Sequence, residues 1–297
     1  MPAPVDFEEL IDRAEAVVGP LVRETPMEES PALSRQLGTP VSIKFESLQE
    51  TGSFKVRGAL FALSEAREEG ASRVATCSAG NHGLGLAHAA RHFGMPARIY
   101  VPGGVDQKKA SLLEELGAEV IRSPFQGFDE TETWALAEVD RDGIPFISAY
   151  DDIQILAGNG GTLMREMRRQ QPDLETVVVP VGGGGLSGGM ALSADGPIRL
   201  VAAQAAASPA LALSLARGEA VTRLAAAETL AGGLEGGIGA TGFDALRTRV
   251  NQVVEVSEPE IRAGVRWTLA EHRYLIEPSS AVAIAAALNS GVQVSGP

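Results

Sequence analysis

Cysteine is almost absent from this 297-residue chain: Cys77 stands alone. That excludes a disulfide framework and any multi-cysteine zinc or iron–sulfur centre. Aromatic residues are sparse, at 5%. No apolar run reaches the roughly 18 residues that a membrane span needs, and the longest stretches, such as Ala281 to Leu288, have the length of core helices. Met1 to Leu10 carries Asp6, Glu8 and Glu9 and no basic apolar leader. A secretory signal is therefore not expected, and the cytoplasm is the expected compartment. Basic residues are scarce relative to acidic ones: 25 Lys and Arg against 38 Asp and Glu leave a formal net charge of −13. A surface this acidic repels phosphate backbones, which argues against a nucleic-acid partner. The hydrophobic fraction of 44% and the charged fraction of 21% exclude a disordered chain. At roughly 150 residues per domain, the length suits one large domain or two modest ones.

Glycine, by contrast, is plentiful at 34 residues and concentrated in a few places. Between those places a short β-branched run followed by a helical stretch repeats along the chain. Strands are expected over Pro40 to Glu46, Arg73 to Cys77, Ala97 to Val101, Glu119 to Arg122, Pro145 to Ala149, Thr176 to Val181 and Arg199 to Gln204. Helices are expected over Ser53 to Ala66, Asn81 to Phe93 with Gly94 as its stop, Gln107 to Leu116, and about Asp129 to Arg141. Others follow over Leu163 to Gln170, near Gly188 to Ala194, and then Pro209 to Arg217, Glu258 to His272 and Ser279 to Leu288, which leaves the last third mostly helical. The short alanine runs at Ala205 and Ala225-Ala226-Ala227 read as filler. Alternation of this kind implies a mainly parallel sheet with helices on both faces.

Four segments lie at strand-to-helix junctions, where open α/β sheets place their ligands. In Glu50-Thr51-Gly52-Ser53-Phe54-Lys55, the lysine sits in the first turn of a helix with Ser53 as a candidate cap. The helix dipole disfavours a cation there, which suits a lysine that bonds a carbonyl; a solvated lysine is the competing reading. Ser78-Ala79-Gly80-Asn81-His82 forms a turn whose N–H groups suit a carboxylate. An ordinary turn capped by Asn81 is the alternative, and His82 reads more readily as a packed neighbour than as a base. Four consecutive glycines, Gly182 to Gly185, with Leu186 next, follow an apolar strand and precede a helix. They match neither the Walker loop nor the dinucleotide fingerprint, and a single phosphate fits better. Ile276-Glu277-Pro278-Ser279-Ser280 caps an apolar helix, with Ser279 or Ser280 as the expected cap, and Glu277 remains free to face a site. His82, His88, His92 and His272 form no H-E-x-x-H pattern, and no G-x-S-x-G elbow occurs. A helix-start lysine, an Asn-bearing anion turn and a single-phosphate loop together suggest pyridoxal phosphate.

In these motifs the chain resembles the fold-type II pyridoxal-phosphate family, in its serine/threonine dehydratase and serine racemase branch, from about Leu21 to Val294 and in family order. The resemblance implies an α/β fold of two domains, each an open, mainly parallel twisted sheet flanked by helices, like the tryptophan synthase beta chain. A large cofactor-binding domain would comprise residues 1–50 and 150–297, and a small mobile domain, 51–149, would close over the substrate. By the same resemblance Lys55, beside Phe54, bonds the cofactor's aldehyde and removes the substrate's α-proton. Ser78, Ala79, Gly80, Asn81 and His82 take the substrate carboxylate, and Asn81 also bonds the ring hydroxyl. Gly182, Gly183, Gly184, Gly185 and Leu186 hold the phosphate, while Gly233, in Thr229-Leu230-Ala231-Gly232-Gly233-Leu234, and Glu277 lie along the cofactor. The implied activity is an ammonia-lyase (dehydratase) that turns a β-hydroxy amino acid, threonine or serine by default, into a 2-oxo acid and ammonia. A small-molecule amino acid is the implied partner, and a dimer or tetramer of like chains the implied assembly. Alternatives are an amino-acid racemase, a β-replacing synthase, or a cofactor-binding protein without turnover.

The departures from the family pattern discriminate among these. Racemases of the branch carry a serine in the carboxylate loop as the second proton handler, and this chain has Ala79 there. The branch's divalent cation draws on a Glu and an Asp, whose matching positions here are Gln204 and Ala210, so no metal is assigned. Gly232 replaces the Asp of A-D-G, and Asn159-Gly160-Gly161 stands where G-Q-G-T is common. The family's terminal strand, whose Ser or Thr bonds the pyridine nitrogen, would begin where the sequence reaches Val294-Ser295-Gly296-Pro297, and a longer natural chain is the favoured explanation.

Overall fold

The computed structural model describes residues 6–194, 196–225, 227–289 and 291–294. Ala226 and Ser295-Gly296-Pro297 lie outside them. In chain order the elements are α1 (Phe7–Val18), β1 (Met27–Glu29), α2 (Pro31–Leu37), β2 (Ser42–Lys44), α3 (Lys55–Glu68), β3 (Val74–Cys77) and α4 (Asn81–Phe93). Then come β4 (Ala97–Val101), α5 (Gln107–Glu115), β5 (Glu119–Arg122), α6 (Phe128–Asp142), α7 (Ile153–Leu156), one π turn (Ala157–Gly161) and α8 (Thr162–Gln170). The last are β6 (Thr176–Pro180), α9 (Gly185–Ser193), β7 (Arg199–Ala205), α10 (Ala210–Arg217), α11 (Ala240–Leu246), β8 (Val250–Val256), α12 (Glu258–His272) and α13 (Pro278–Leu288). No helix among the described residues is long and apolar enough to cross a membrane.

The chain divides into two compact units, one of Met1–Glu24 with Leu48–Thr162 and the other of Thr25–Ser47 with Leu163–Pro297. The first contains a parallel sheet in the order β3-β4-β5. Every residue of β3 is buried, as expected of a parallel strand covered on both faces. The segment Pro145 to Ala149, expected as a strand, makes only a single parallel bridge, Ala75 to Phe146, on the free edge of β3. α3 is the central helix of this unit: Val56, Ala59, Leu60, Phe61 and Leu63 are all fully buried, and Arg57 is buried with them, so its first turns are enclosed on every side rather than along one stripe. α1, which the acidic N-terminus does not advertise, packs Leu10, Ile11, Ala14 and Val18 into the same core. Asp6 starts it by accepting the N–H of Glu8 at 3.0 Å and of Glu9 at 3.4 Å.

The second unit contains a parallel sheet in the order β6-β7-β8 and the antiparallel pair β1-β2. Val177, Val179, Leu200, Val201, Ala202 and Ala203 are buried in the sheet, and α13, with Ala281, Val282 and Ala285 buried, packs on β6, β7 and β8. β8, which has no counterpart among the expected strands, runs beside β7; its Asn251, Gln252 and Glu255 hide the strand signal. Under this unit Lys44 Nζ and Glu166 Oε1 form an ion pair at 2.5 Å with both side chains largely shielded, and Lys44 also donates to Thr25 O at 2.6 Å and Gln170 Oε1 at 2.7 Å.

Candidate active site

The sequence motifs fall on the two units as follows: Phe54, Lys55 and Ser78 to His82 on the first, Gly182 to Leu186, Gly233 and Glu277 on the second. In the first, α3 begins at Lys55, with Phe54 rather than Ser53 in the cap position and no side-chain cap. Ser53 contributes one residue earlier, its Oγ accepting the Lys55 N–H at 3.4 Å. The Lys55 side chain is half-buried, and its Nζ donates to Ala149 O at 2.7 Å. That carbonyl follows the segment paired with β3. Thr76 Oγ1 donates to Ile147 O at 2.8 Å, and His82 Nε2 lies 3.4 Å from the same carbonyl. Lys55 and the Ser78-Ala79-Gly80 turn therefore share one place, the C-terminal end of β3, where an open parallel sheet presents its ligand site.

α4 starts at Asn81 with Gly80 as its cap and no side-chain oxygen on its first N–H groups. Ser78 Oγ instead accepts the Gly80 N–H at 3.2 Å within the turn. Close backbone packing fixes the geometry: a Cβ on Gly83 would come within 2.3 Å of Ser78 O, and one on Gly85 within 3.1 Å of the Lys55 carbonyl. His82 is buried, and burial, reinforced by the nearby Lys55 charge, lowers its pKa to about 3. The ring is neutral at physiological pH, and its Nδ1 has no hydrogen-bond partner.

In the second unit the chain leaves β6 through Val181, whose N–H donates to Ala203 O at 2.8 Å, and turns into α9 over the glycines. Gly184 is the cap, at φ +91, a backbone conformation that L side chains avoid. A Cβ on Gly182 would sit 2.7 Å from Leu234 Cα. The helix start carries no side-chain cap, and Ser187 Oγ, buried in its first turn, has no partner. An uncapped helix N-terminus behind a glycine turn, with an unsatisfied hydroxyl, has the donor set a phosphate wants. The Gly183 carbonyl is occupied by the Gly239 N–H at 3.0 Å, so the loop's acceptors turn inward. Gly233 donates its N–H to Ser279 Oγ at 2.9 Å, which ties the Thr229 to Leu234 segment to the Glu-Pro-Ser motif. Glu277 is the cap residue of α13, with Pro278 as its first residue, and it is exposed; Ser279 and Ser280 lie inside the helix.

Four groups had no signature in the sequence: the Ala149 carbonyl, the Ile147 carbonyl, the Ser187 hydroxyl, and Gly58, whose N–H donates to Asn159 Oδ1 at 2.8 Å. Lysine is scarce. The chain has four lysines, Lys44, Lys55, Lys108 and Lys109. Lys44 is held in its ion pair, and Lys108 and Lys109 are exposed on α5. Gln204, at the end of β7, uses its Oε1 to accept the Leu211 N–H at 3.1 Å and the Ala212 N–H at 3.4 Å, and its Nε2 donates to Glu255 Oε1 at 3.3 Å. It caps α10 with an amide. No group of three or more His, Cys, Asp or Glu side chains that could hold a metal ion occurs among the described residues.

The family model for pyridoxal-phosphate dependent enzymes matches residues 18–297. The chain belongs to that family. It is 35% identical over 288 residues to L-threonine ammonia-lyase of Geobacter sulfurreducens, a match covering 95% of this chain and 71% of that protein. It is 34% identical over 284 residues to serine racemase of Arabidopsis thaliana, covering 94% of this chain and 85% of the other. Among solved structures, the processed form of threonine deaminase isoform 2 from Solanum lycopersicum matches with a TM-score of 0.88 at 30% identity, over 98% of this chain and 82% of that one. The cofactor is pyridoxal phosphate, the fold is the α/β architecture of fold type II, and the chain is a pyridoxal-phosphate-dependent lyase.

Proposed function

We propose that this enzyme is an ammonia-lyase that converts a β-hydroxy amino acid, threonine or serine, to its 2-oxo acid and ammonia. When bound, pyridoxal phosphate supplies an aldehyde for the amine and an electron sink for the α-carbon. Lys55 carries the amine that bonds that aldehyde at rest and, as a free amine, holds the proton taken from the substrate α-carbon. Its contact with Ala149 O, at 2.7 Å, offers the side chain a neutral acceptor. Ser78, Ala79, Gly80 and the N–H groups at the start of α4 orient the substrate carboxylate, with Asn81 toward the cofactor ring. Gly182 to Gly185, Leu186 and the Ser187 hydroxyl hold the phosphate, and Gly233 and Glu277 lie along the cofactor.

The observation that carries elimination over inversion is Ala79. Inversion needs a second proton handler on the face opposite the lysine, and a methyl group has no proton to give. The reading is supported by the threonine ammonia-lyase relative, at 35% identity. The racemase reading is the second one, favoured by the serine racemase relative at 34% identity.

The test is a panel of β-hydroxy amino acids assayed for 2-oxo acid with added cofactor, and L-serine scored for both pyruvate and D-serine. Pyruvate in large excess over D-serine is the expected result, with Ala79→Ser raising the D-serine share several-fold. D-serine as the main product of the unmodified protein would overturn the assignment.

A further inference from the structure

Lys55 is the first residue of its helix, so its position depends on how the first turn of α3 is held. That turn has no side-chain cap of its own. The Arg57 N–H closes a tight turn on Phe54 O at 3.0 Å. The Gly58 N–H, which in an uninterrupted helix would reach the Phe54 carbonyl, donates instead to Asn159 Oδ1 at 2.8 Å. Asn159 comes from the π turn Ala157–Gly161, within the same unit. It is completely buried. The contact is fitted on both sides by missing side chains: a Cβ on Gly58 would meet Asn159 Cγ at 2.7 Å, and a Cβ on Gly158 would meet Gly58 Cα at 2.7 Å. Thr162 Oγ1 holds the π turn by donating to Gly158 O at 2.6 Å.

A π turn carries one residue more than an α turn and re-aims the side chain at the insertion. Here it drives an amide into the backbone of another helix one turn beyond the lysine. We propose that Asn159 is a positioning residue for Lys55: its side-chain carbonyl, delivered by the π turn, stands in for the missing helix cap and sets the depth at which the lysine's backbone lies. The inference rests on the assignment of Lys55 as the cofactor-bonding amine and extends it to a residue that acts through the backbone one turn beyond the lysine. A buried acceptor on Gly58 and a Cβ-free approach from Gly158 leave the first turn of α3 a single seating. Without the amide carbonyl, Gly58 must return to Phe54 O and compete with Arg57, which shifts the turn that carries Lys55.

Two variants separate positioning from bulk. Asn159→Leu keeps most of the volume and removes the acceptor; Asn159→Asp keeps an acceptor of the same shape. In cofactor-loaded protein, Asn159→Leu is expected to lower kcat for L-threonine about tenfold with KM little changed, since sub-ångström misplacement of a catalytic group acts on the rate. In cofactor-stripped protein, the same variant should slow capture of pyridoxal phosphate at Lys55 by a similar factor, read by borohydride trapping and the mass of the Lys55 peptide. Asn159→Asp should recover most of both losses. An Asn159→Leu protein with unchanged capture rate and kcat, or an Asn159→Asp protein as impaired as the leucine variant, overturns the proposal. If the leucine variant does not fold, amide exchange at Gly58 in the unmodified protein decides: protection equal to the middle of α3 is expected, and exchange as fast as an exposed amide overturns it. Capture on a lysine other than Lys55 would fell the functional reading, and this inference with it, and is recognised by the peptide that carries the label.

Discussion

Two strand-turn-helix junctions in this enzyme are built on one plan and finished in opposite ways. β3 passes into α4 through Ser78-Ala79-Gly80, and β6 into α9 through Val181 to Gly184. Both helices start without a side-chain cap and so leave backbone N–H groups to be satisfied by something else. Around the first junction stand side chains: Ser78, Asn81, the buried His82 and the Lys55 ammonium on Ala149 O. Around the second stand backbone groups and the Ser187 hydroxyl, and the positive φ of Gly184 makes the turn possible. On the proposed function the second junction meets a small phosphate with N–H groups from a bare loop, and the first meets a reacting amino acid with groups that hold, orient and exchange protons. The first turn is therefore one that a substitution can retune at Gly80, where an added Cβ meets nothing within 4 Å, whereas in the second a Cβ on Gly182 already meets Leu234 Cα at 2.7 Å.

The largest expected effect lies at the first junction. Lys55→Ala should abolish the visible absorbance of the bound cofactor and lower activity about a thousandfold or more, the scale of a lost proton-transfer group. Cofactor absorbance that survives the substitution would mean that another amine bonds the aldehyde.

Acid should also separate the junctions, because only the first contains a buried histidine. The folded pKa of His82 is about 3 against an ordinary 6.5, so the unfolded chain binds a proton that the folded chain refuses. The stability that comes from this group is complete above pH 6.5 and is lost as pH falls from there toward 3, up to a few kcal/mol in all. Denaturation midpoints measured across that range should fall less steeply in His82→Gln than in the parent. Parallel slopes would place the acid sensitivity elsewhere.

A matched pair of glycine substitutions sharpens the contrast at about 1–2 kcal/mol. Gly184→Ala forces an L residue to φ +91 and brings its Cβ within 3.1 Å of Ile238 Cγ1, so cofactor affinity and thermal stability should both drop, the affinity about tenfold. At Gly80 an added Cβ meets nothing within 4 Å, and its φ of −120 is open to any residue. Gly80→Ala should leave stability within about 0.5 kcal/mol. Equal effects on stability at the two positions would erase the distinction drawn between the two turns. The smallest effect expected is none: with Gln204 spent on the start of α10, a chelator should leave activity unchanged, and a strict magnesium requirement would show that oxygen ligands are supplied by other residues.

Much of this was legible in the sequence, and the illegible parts have a common cause. α4, read as Asn81 to Phe93 with Gly94 as its stop, has those bounds, because a glycine at φ +64 ends a helix in a way no other residue does as readily. Lys55 and the four glycines could be proposed from the sequence because carbonyl bonding and close approach to an anion each demand a residue type. The Pro145 to Ala149 segment read as a full strand from its apolar residues, yet only Phe146 completes a bridge; its function in the site comes from the Ile147 and Ala149 carbonyls, which any residue would supply. Asn159 drew notice only as a departure from a motif, since nothing in Gly-Asn-Gly-Gly announces a π turn. The expected caps lie one to three residues from the observed ones at α3, α4 and α13, because none of these helices has the Ser or Asn side-chain cap that sequence favours.

The most direct measurement is to reduce the cofactor-loaded protein with borohydride, digest it and find the lysine that carries the pyridoxyl group. Of the four candidates, Lys44 is engaged with Glu166 and Lys108 and Lys109 stand exposed on α5. A single labelled peptide containing Lys55 is the expected result. Label on Lys44, Lys108 or Lys109, with Lys55 unmodified, would contradict the assignment of the active site.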